Sequence, residues 1–238
     1  IIVLLLSYFQ FSGTNSGPTY NANYPLDSLT IRQLRAERID IVEPTGNLAI
    51  SLSNSRTTPL PRWDGVKLRG ASNRESPNII FFDGKGDEIG GINFSNNSEN
   101  GDAIRHLAFD GFKQDEVITL SHFIQNGKSR KGIYIYDRPN VEILDALEEM
   151  GISANDNESM LRKKIAQFKN EYPNRFDEIW YDRKRVALQT NENKDAEMIL
   201  SDTNGQVRLR LLVTERENAI IEFFDQNGDL VKQIKADN

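Results

Sequence analysis

The chain has 238 residues, 38% of them hydrophobic, a formal net charge of −6 and no cysteine. That length allows one large all-β domain or two small ones, and the missing cysteines exclude a disulfide framework, a thiol nucleophile and a thiolate metal site. Basic residues are scattered among acids rather than gathered on one face, so no nucleic-acid partner is expected.

The chain opens on "IIVLLLSYFQF", residues 1–11, apolar and without a charge. At about 1.5 Å per residue a helix of this length covers roughly half of a 30 Å hydrocarbon core. Because no initiator methionine precedes it, the segment reads as the end of an N-terminal transmembrane anchor in a lipid bilayer. A signal-peptide hydrophobic region is the alternative. Tyr8 and Phe9 fall where an interfacial belt would lie, and no basic residue follows until Arg32, which marks that side as translocated. Residues 12–28, rich in Ser, Gly, Asn, Thr and Pro, have the composition of a tether. Residues 29–238 then form a β-rich domain expected on the periplasmic, extracytoplasmic side.

Alternating apolar residues begin with Ile39 and Ile41, and continue after "EPTG" with Leu48, Ile50 and Leu52. This pattern predicts a hairpin. It recurs in "NIIFFDGKGDEIGGINF", where Gly90-Gly91 suggests a bulge. The strands "HLAF", "VITLSHF" and "GIYIYD" follow in the same style. The period then changes: "NVEILDALEEM", closed by Gly151, and "NDNESMLRKKIAQFKNEY", with Leu161, Ile165, Phe168 and Tyr172 in helical spacing, predict a two-helix insert over residues 141–172. After Pro173 strands resume through "EIWYD" and "VALQT". The fold class expected is mainly β: an antiparallel hairpin-repeat sheet, sandwich or barrel-like domain with a short two-helix insert.

Four turns share one frame: "VEPTG" ending at Gly46, "DGKG" with Asp83 and Gly86, "DTNG" with Asp202 and Gly205, and "DQNG" with Asp225 and Gly228. An acidic residue opening a type I turn bonds a backbone N–H two residues on, and the glycine takes the left-handed conformation of a G1 bulge. A calcium loop would need further acids that "DQNGDL" and "DTNGQV" lack. A phosphate cradle would need a glycine-rich loop opening a helix. Together with "ERIDIVEPTGNLAISLSN", these hairpins resemble a group of uncharacterised bacterial membrane-anchored proteins built from β-hairpin repeats with D-x-x-G turns. The resemblance implies the architecture and carries over no activity, cofactor or functional residue.

Catalytic chemistry finds little purchase. His106 and His122 lie in strand segments with no metal-helix spacing. Ser121 and His122 are neighbours whose side chains point to opposite faces, which is no triad. The carboxylate pairs Asp115 with Glu116 and Asp87 with Glu88 would serve a glycosidase only across a cleft of defined width. No catalytic, metal or cofactor-binding residue is therefore assigned.

Residues 54–77, "NSRTTPLPRWDGVKLRGASNRESP", are too long for a hairpin turn and carry Arg56, Arg62, Lys67, Arg69 and Arg74 against Asp64 and Glu75. Tryptophan beside arginine is favoured at interfaces, so Arg62, Trp63, Lys67 and Arg69 are candidates for partner contact. The other reading has Trp63 folding back over the sheet. The function expected is a non-catalytic, membrane-anchored accessory subunit of an integral membrane protein complex, of which respiratory and photosynthetic assemblies are examples. A glycan- or peptide-binding module is the alternative, and an envelope polysaccharide hydrolase comes third.

Overall fold

The computed structural model describes residues 29–69, 76–216 and 218–236. The expected anchor and tether, and positions 70–75 of the long loop, lie outside the described residues. Contacts divide the chain after Ala36, and the unit from Glu37 to Asn238 holds every described strand and helix.

In chain order the strands are β1 (Arg38–Val42), β2 (Leu48–Ser53), the short β3 (Arg62–Trp63) and β4 (Val66–Lys67), β5 (Asn78–Phe82), β6 (Glu88–Asn96), β7 (Ala103–Asp110), β8 (Glu116–Gln125) and β9 (Lys128–Asp137). After the helices come β10 (Arg183–Thr190), β11 (Ala196–Ser201), β12 (Val207–Val213), β13 (Ala219–Phe224) and β14 (Leu230–Lys235). Twelve of them form one antiparallel sheet in strictly sequential order, from β1 at one edge to β14 at the other, while β3 and β4 pair separately. The mainly β, antiparallel architecture is as the alternation predicts. The strand order makes one continuous sheet in which, among the described strands, β1 pairs only with β2 and β14 only with β13, so no strand pairing closes it into a barrel.

The shared turn frame builds this layer. Gly46, Gly86, Gly205 and Gly228 donate their N–H to the carbonyls of Glu43, Asp83, Asp202 and Asp225 at 2.8–3.2 Å. All four glycines have φ between +78° and +88°, the left-handed region where a side chain is disfavoured. In the three Asp turns the Oδ1 atom accepts two further backbone N–H groups, as at Asp225 from Asn227 (2.8 Å) and Asp229 (3.0 Å). Just past each turn the ladder skips one residue of the returning strand: Ala49, Ile89, Arg208 and Val231 stand without a register partner. The repeated unit is thus a turn plus a bulge. In the second hairpin the unpaired residue is Ile89, beside the Gly90-Gly91 pair that the sequence singles out.

The insert contains three helices, α1 (Ile143–Glu149), α2 (Glu158–Glu171) and α3 (Pro173–Ile179), one more than the sequence pattern suggests. Pro173 starts α3 rather than a strand, because proline has no N–H to leave unbonded in a first helical turn. "EIWYD" is accordingly the end of a helix and a turn. Asn157 caps α2, its Oδ1 accepting the Met160 N–H at 2.9 Å. The helices close a small core of Ile143, Ala146, Leu147, Met150, Ile152, Phe176 and Ile179, and Trp63 and Leu68 from the β3–β4 hairpin complete it. Arg69 N–H bonds the Ala154 carbonyl at 3.1 Å. Two interruptions of the meander, far apart in sequence, thereby complete one another as a cap. Among the described residues no helix is long and apolar enough to cross a membrane.

Candidate functional site

The cap meets the sheet over a polar cleft of about 160 Å³, whose lining includes Trp63, Asn78, Asn93, His106, Asp115 and Glu116. His106 on β7 faces Ser121 on β8 directly. The Ser121 hydroxyl lies 2.8 Å from Nδ1 and the Glu116 carboxylate 2.7 Å from Nε2. A neutral imidazole satisfies both if Nε2–H donates to Glu116 and Nδ1 accepts from Ser121. Adjacent residues do not show this serine–histidine–carboxylate line, because it runs across strands, where register decides neighbours. It shapes the sheet rather than a reaction centre: Ser121 is 3% exposed, does not line the cleft, and lies in a strand paired on both sides. His122 points to the other face and meets Ser129 Oγ at 3.0 Å.

The remaining carboxylates near the cleft are held by the fold. Asp87 is buried, accepts the Gly65 N–H at 3.1 Å and faces Arg62 Nε at 3.9 Å, tying the β3–β4 hairpin to a sheet turn. Crowding pushes the Asp115 carboxyl above its usual range, and Arg138 at 3.8 Å pulls the other way. With 56% of its side chain still meeting water, solvent screens that shift. Lys113 bridges Glu142 at 2.8 Å and Asp64 at 3.5 Å, fastening the helices and the hairpin to the same turn of the sheet. Of the partner-contact candidates, Trp63 is 7% exposed inside the cap core and Arg62 reaches the Lys85 carbonyl at 3.3 Å. Lys67 stays exposed on β4, and Arg69 is spent at its backbone on the insert. Among the described residues no group of His, Asp and Glu is arranged to hold a metal ion.

The most unusual surface is the sheet itself. Following register from strand to strand, one face carries Ile39, Leu52, Ile79, Ile92, Leu107, Leu120, Ile133, Leu188, Met198, Leu211, Ile221 and Ile234 as a single row, one residue per strand. The next row on that face runs Ile41, Ile50, Phe81, Gly90, Phe109, Ile118, Ile135, Val186, Leu200, Leu209, Phe223 and Lys232. Only Gly90 and Lys232 interrupt it. These side chains are not covered: Leu120 is 52% and Leu188 56% exposed, and Phe109, Ile118, Ile133 and Ile234 are exposed as well.

The opposite face mixes polar and apolar residues and holds most of the sheet's buried side chains, with Ser51, Ile80, Ala108, Thr119, Tyr134 and Ala187 all in one of its rows. Ser53 donates to Asn78 Oδ1 at 2.8 Å, Gln189 to Glu197 Oε1 at 2.6 Å, and Arg210 and Gln233 to Glu222 at 2.7 Å each. One side of the sheet is therefore hydrogen-bonded and largely buried, and the other is apolar and largely open. The bulges keep this in phase, since a one-residue slip would exchange the two faces.

Fold and surfaces define a class, a sequential antiparallel meander with a helical cap and one apolar face left open among the described residues. No protein-family model matches the chain, and no curated protein matches it.

Proposed function

We propose that this protein is a non-catalytic structural subunit that works by docking its apolar sheet face against another protein subunit. The observation behind this reading is the unbroken row of twelve apolar residues, eight exposed and four half-buried, in a sheet whose other face is hydrogen-bonded and holds most of the buried side chains. An antiparallel sheet ordinarily packs one face on a core and offers the other to solvent, and apolar patches beyond a few hundred Å² mark contact sites. Here the apolar face is the one that has no covering element among the described residues. The apolar residues 1–11 favour placing the subunit at a membrane, with the β domain outside the cytoplasm, beside a larger membrane complex.

The test is gentle detergent extraction followed by native mass analysis of the wild type and of the double variant Leu120→Glu, Leu188→Glu. The expected result is a stoichiometric assembly that the variant loses while keeping its strand circular dichroism. An assembly indifferent to both substitutions would sink the docking reading.

A further inference from the structure

Resting on that reading, we infer that the subunit docked on the apolar face is a second copy of this chain, the two sheets packing face to face as the halves of a sandwich. Size is the first argument. Twelve strands about 4.8 Å apart span roughly 55 Å, and two rows of side chains cover about 14 Å along the strands, so each copy offers roughly 750 Å². Two copies would bury about 1,500 Å², within the range of roughly 1,200–2,000 Å² that stable interfaces need.

Chemistry is the second argument. Within the two rows the single charge is Lys232, on the edge strand β14, so the face offers nothing to a charged partner. On β7, β8 and β9 the next residues on that face, Arg105, His122 and Lys131, are polar, while Phe94 on β6 and Val213 on β12 extend the apolar surface. An apolar centre with polar groups on part of its rim resembles the anatomy of a protein interface. Neither row contains a tryptophan or tyrosine, the side chains that anchor a protein at a lipid headgroup layer. An isologous two-fold needs a surface complementary to itself, and rows of aliphatic side chains of similar size, on a regular pleat, meet that condition at the usual spacing of about 10 Å between sheets.

The sheet's edges argue the same way. β14 carries Lys232 and Lys235, and β1 carries Arg38 and Asp40, charges that discourage edge-to-edge pairing. The chain guards its edges and leaves its face apolar.

The experiment uses the full chain, which has no cysteine of its own. Leu120→Cys and Leu188→Cys flank Ile133 near the middle of the row, close to where a two-fold would pass. Single-cysteine variants are treated in intact membranes with a bis-maleimide of about 10 Å span, a reach matched to the sheet spacing, with Met160→Cys on exposed α2 as control. The expected outcome is a covalent dimer from both sheet positions and none from the control. In parallel, native mass analysis should give twice 27.1 kDa for the wild type. Leu120→Glu with Leu188→Glu should weaken association by at least about 100-fold, since two carboxylates would be buried without partners.

A wild type monomeric at tens of micromolar with no cross-link at either sheet position overturns the inference. If that monomer is held in a stoichiometric complex with a different chain through the same face, docking stands and the second copy falls. If it instead floats with phosphatidylcholine vesicles and the double glutamate variant does not, lipid is the occupant and both readings fail.

Discussion

The cap and the sheet handle apolar surface in opposite ways. In the cap, Trp63 and Leu68 from one interruption of the meander and seven residues from the other close on each other and leave almost nothing exposed. In the sheet, a larger apolar set is laid out in register and left open on one side. Hydrophobicity alone does not distinguish the two. The difference is topological: α1, α2, α3 and the β3–β4 hairpin fold back on each other, whereas a meander of hairpins lays every strand beside the last and, among the described residues, no element returns over the apolar face. A chain able to build a closed core from residues 62–68 and 143–179 has the means to cover an apolar surface, which gives the open face meaning as a contact surface.

The comparison breaks most readily at Trp63. Trp63→Ala should lower the unfolding free energy by about 3–5 kcal/mol, the usual range for removing a large buried aromatic, read from urea denaturation. Leu188→Ala on the open face, measured in a dissociated chain, should cost less than about 1 kcal/mol, because a side chain 56% exposed has little transfer energy left to lose. Equal costs for the two would mean that the face is covered after all. Gly132→Ala comes next. A Cβ there would sit 2.5 Å from the Leu188 carbonyl oxygen and 2.6 Å from Gln189 Cβ, so β9 and β10 must separate locally, at about 1–3 kcal/mol.

Much of the sheet was legible because its two determinants are local. Alternation at Ile39, Ile41, Leu48, Ile50 and Leu52 and the glycine of each turn are written in consecutive residues. What links strand to strand is not. Whether Leu52 meets Ile79 depends on the bulge at Ala49 and on how residues 54–77 cross between strands, and no short window of sequence contains both. The twelve-residue row therefore emerges only from register. The same limit hid the His106–Ser121–Glu116 line, whose members are spaced 15 and 10 residues from the histidine. Trp63 was legible as an unusual residue and not as a buried one: its partners lie some eighty or more residues away, in helices whose existence was foreseen and whose docking was not. Pro173 misled because proline punctuates both a helix start and a loop, and the spacing of Phe176 and Ile179 was too short a signal to choose.

Smaller effects sharpen the account of how the open layer is held in phase. Gly205→Ala, at φ +78° with only the flexible Arg183 side chain nearby, should cost about 1 kcal/mol from the left-handed backbone alone. Gly84→Ala, in a neighbouring turn position without positive φ and with no atom near its Cβ, should be close to neutral. Similar thermal shifts for both would remove the turn glycines' special role.

The smallest effect is electrostatic and its sign is fixed. Backbone N–H groups of Asp229 and Asn227 hold the Asp225 carboxyl below the usual carboxylate range. A depressed folded-state pKa adds stability that is present above the unfolded value, about pH 4, and is lost as pH falls through the lower folded value. Acid should therefore loosen the β13–β14 turn before the interior strands, seen as early loss of amide protection at Asn227 and Asp229. Asp225→Asn keeps an acceptor for the same two N–H groups but cannot titrate, so its turn protection should be flat across that interval. A variant that loosens with acid as the wild type does would transfer the effect from Asp225 to the edge strand β14, whose residues are all exposed and which has a neighbour on one side only.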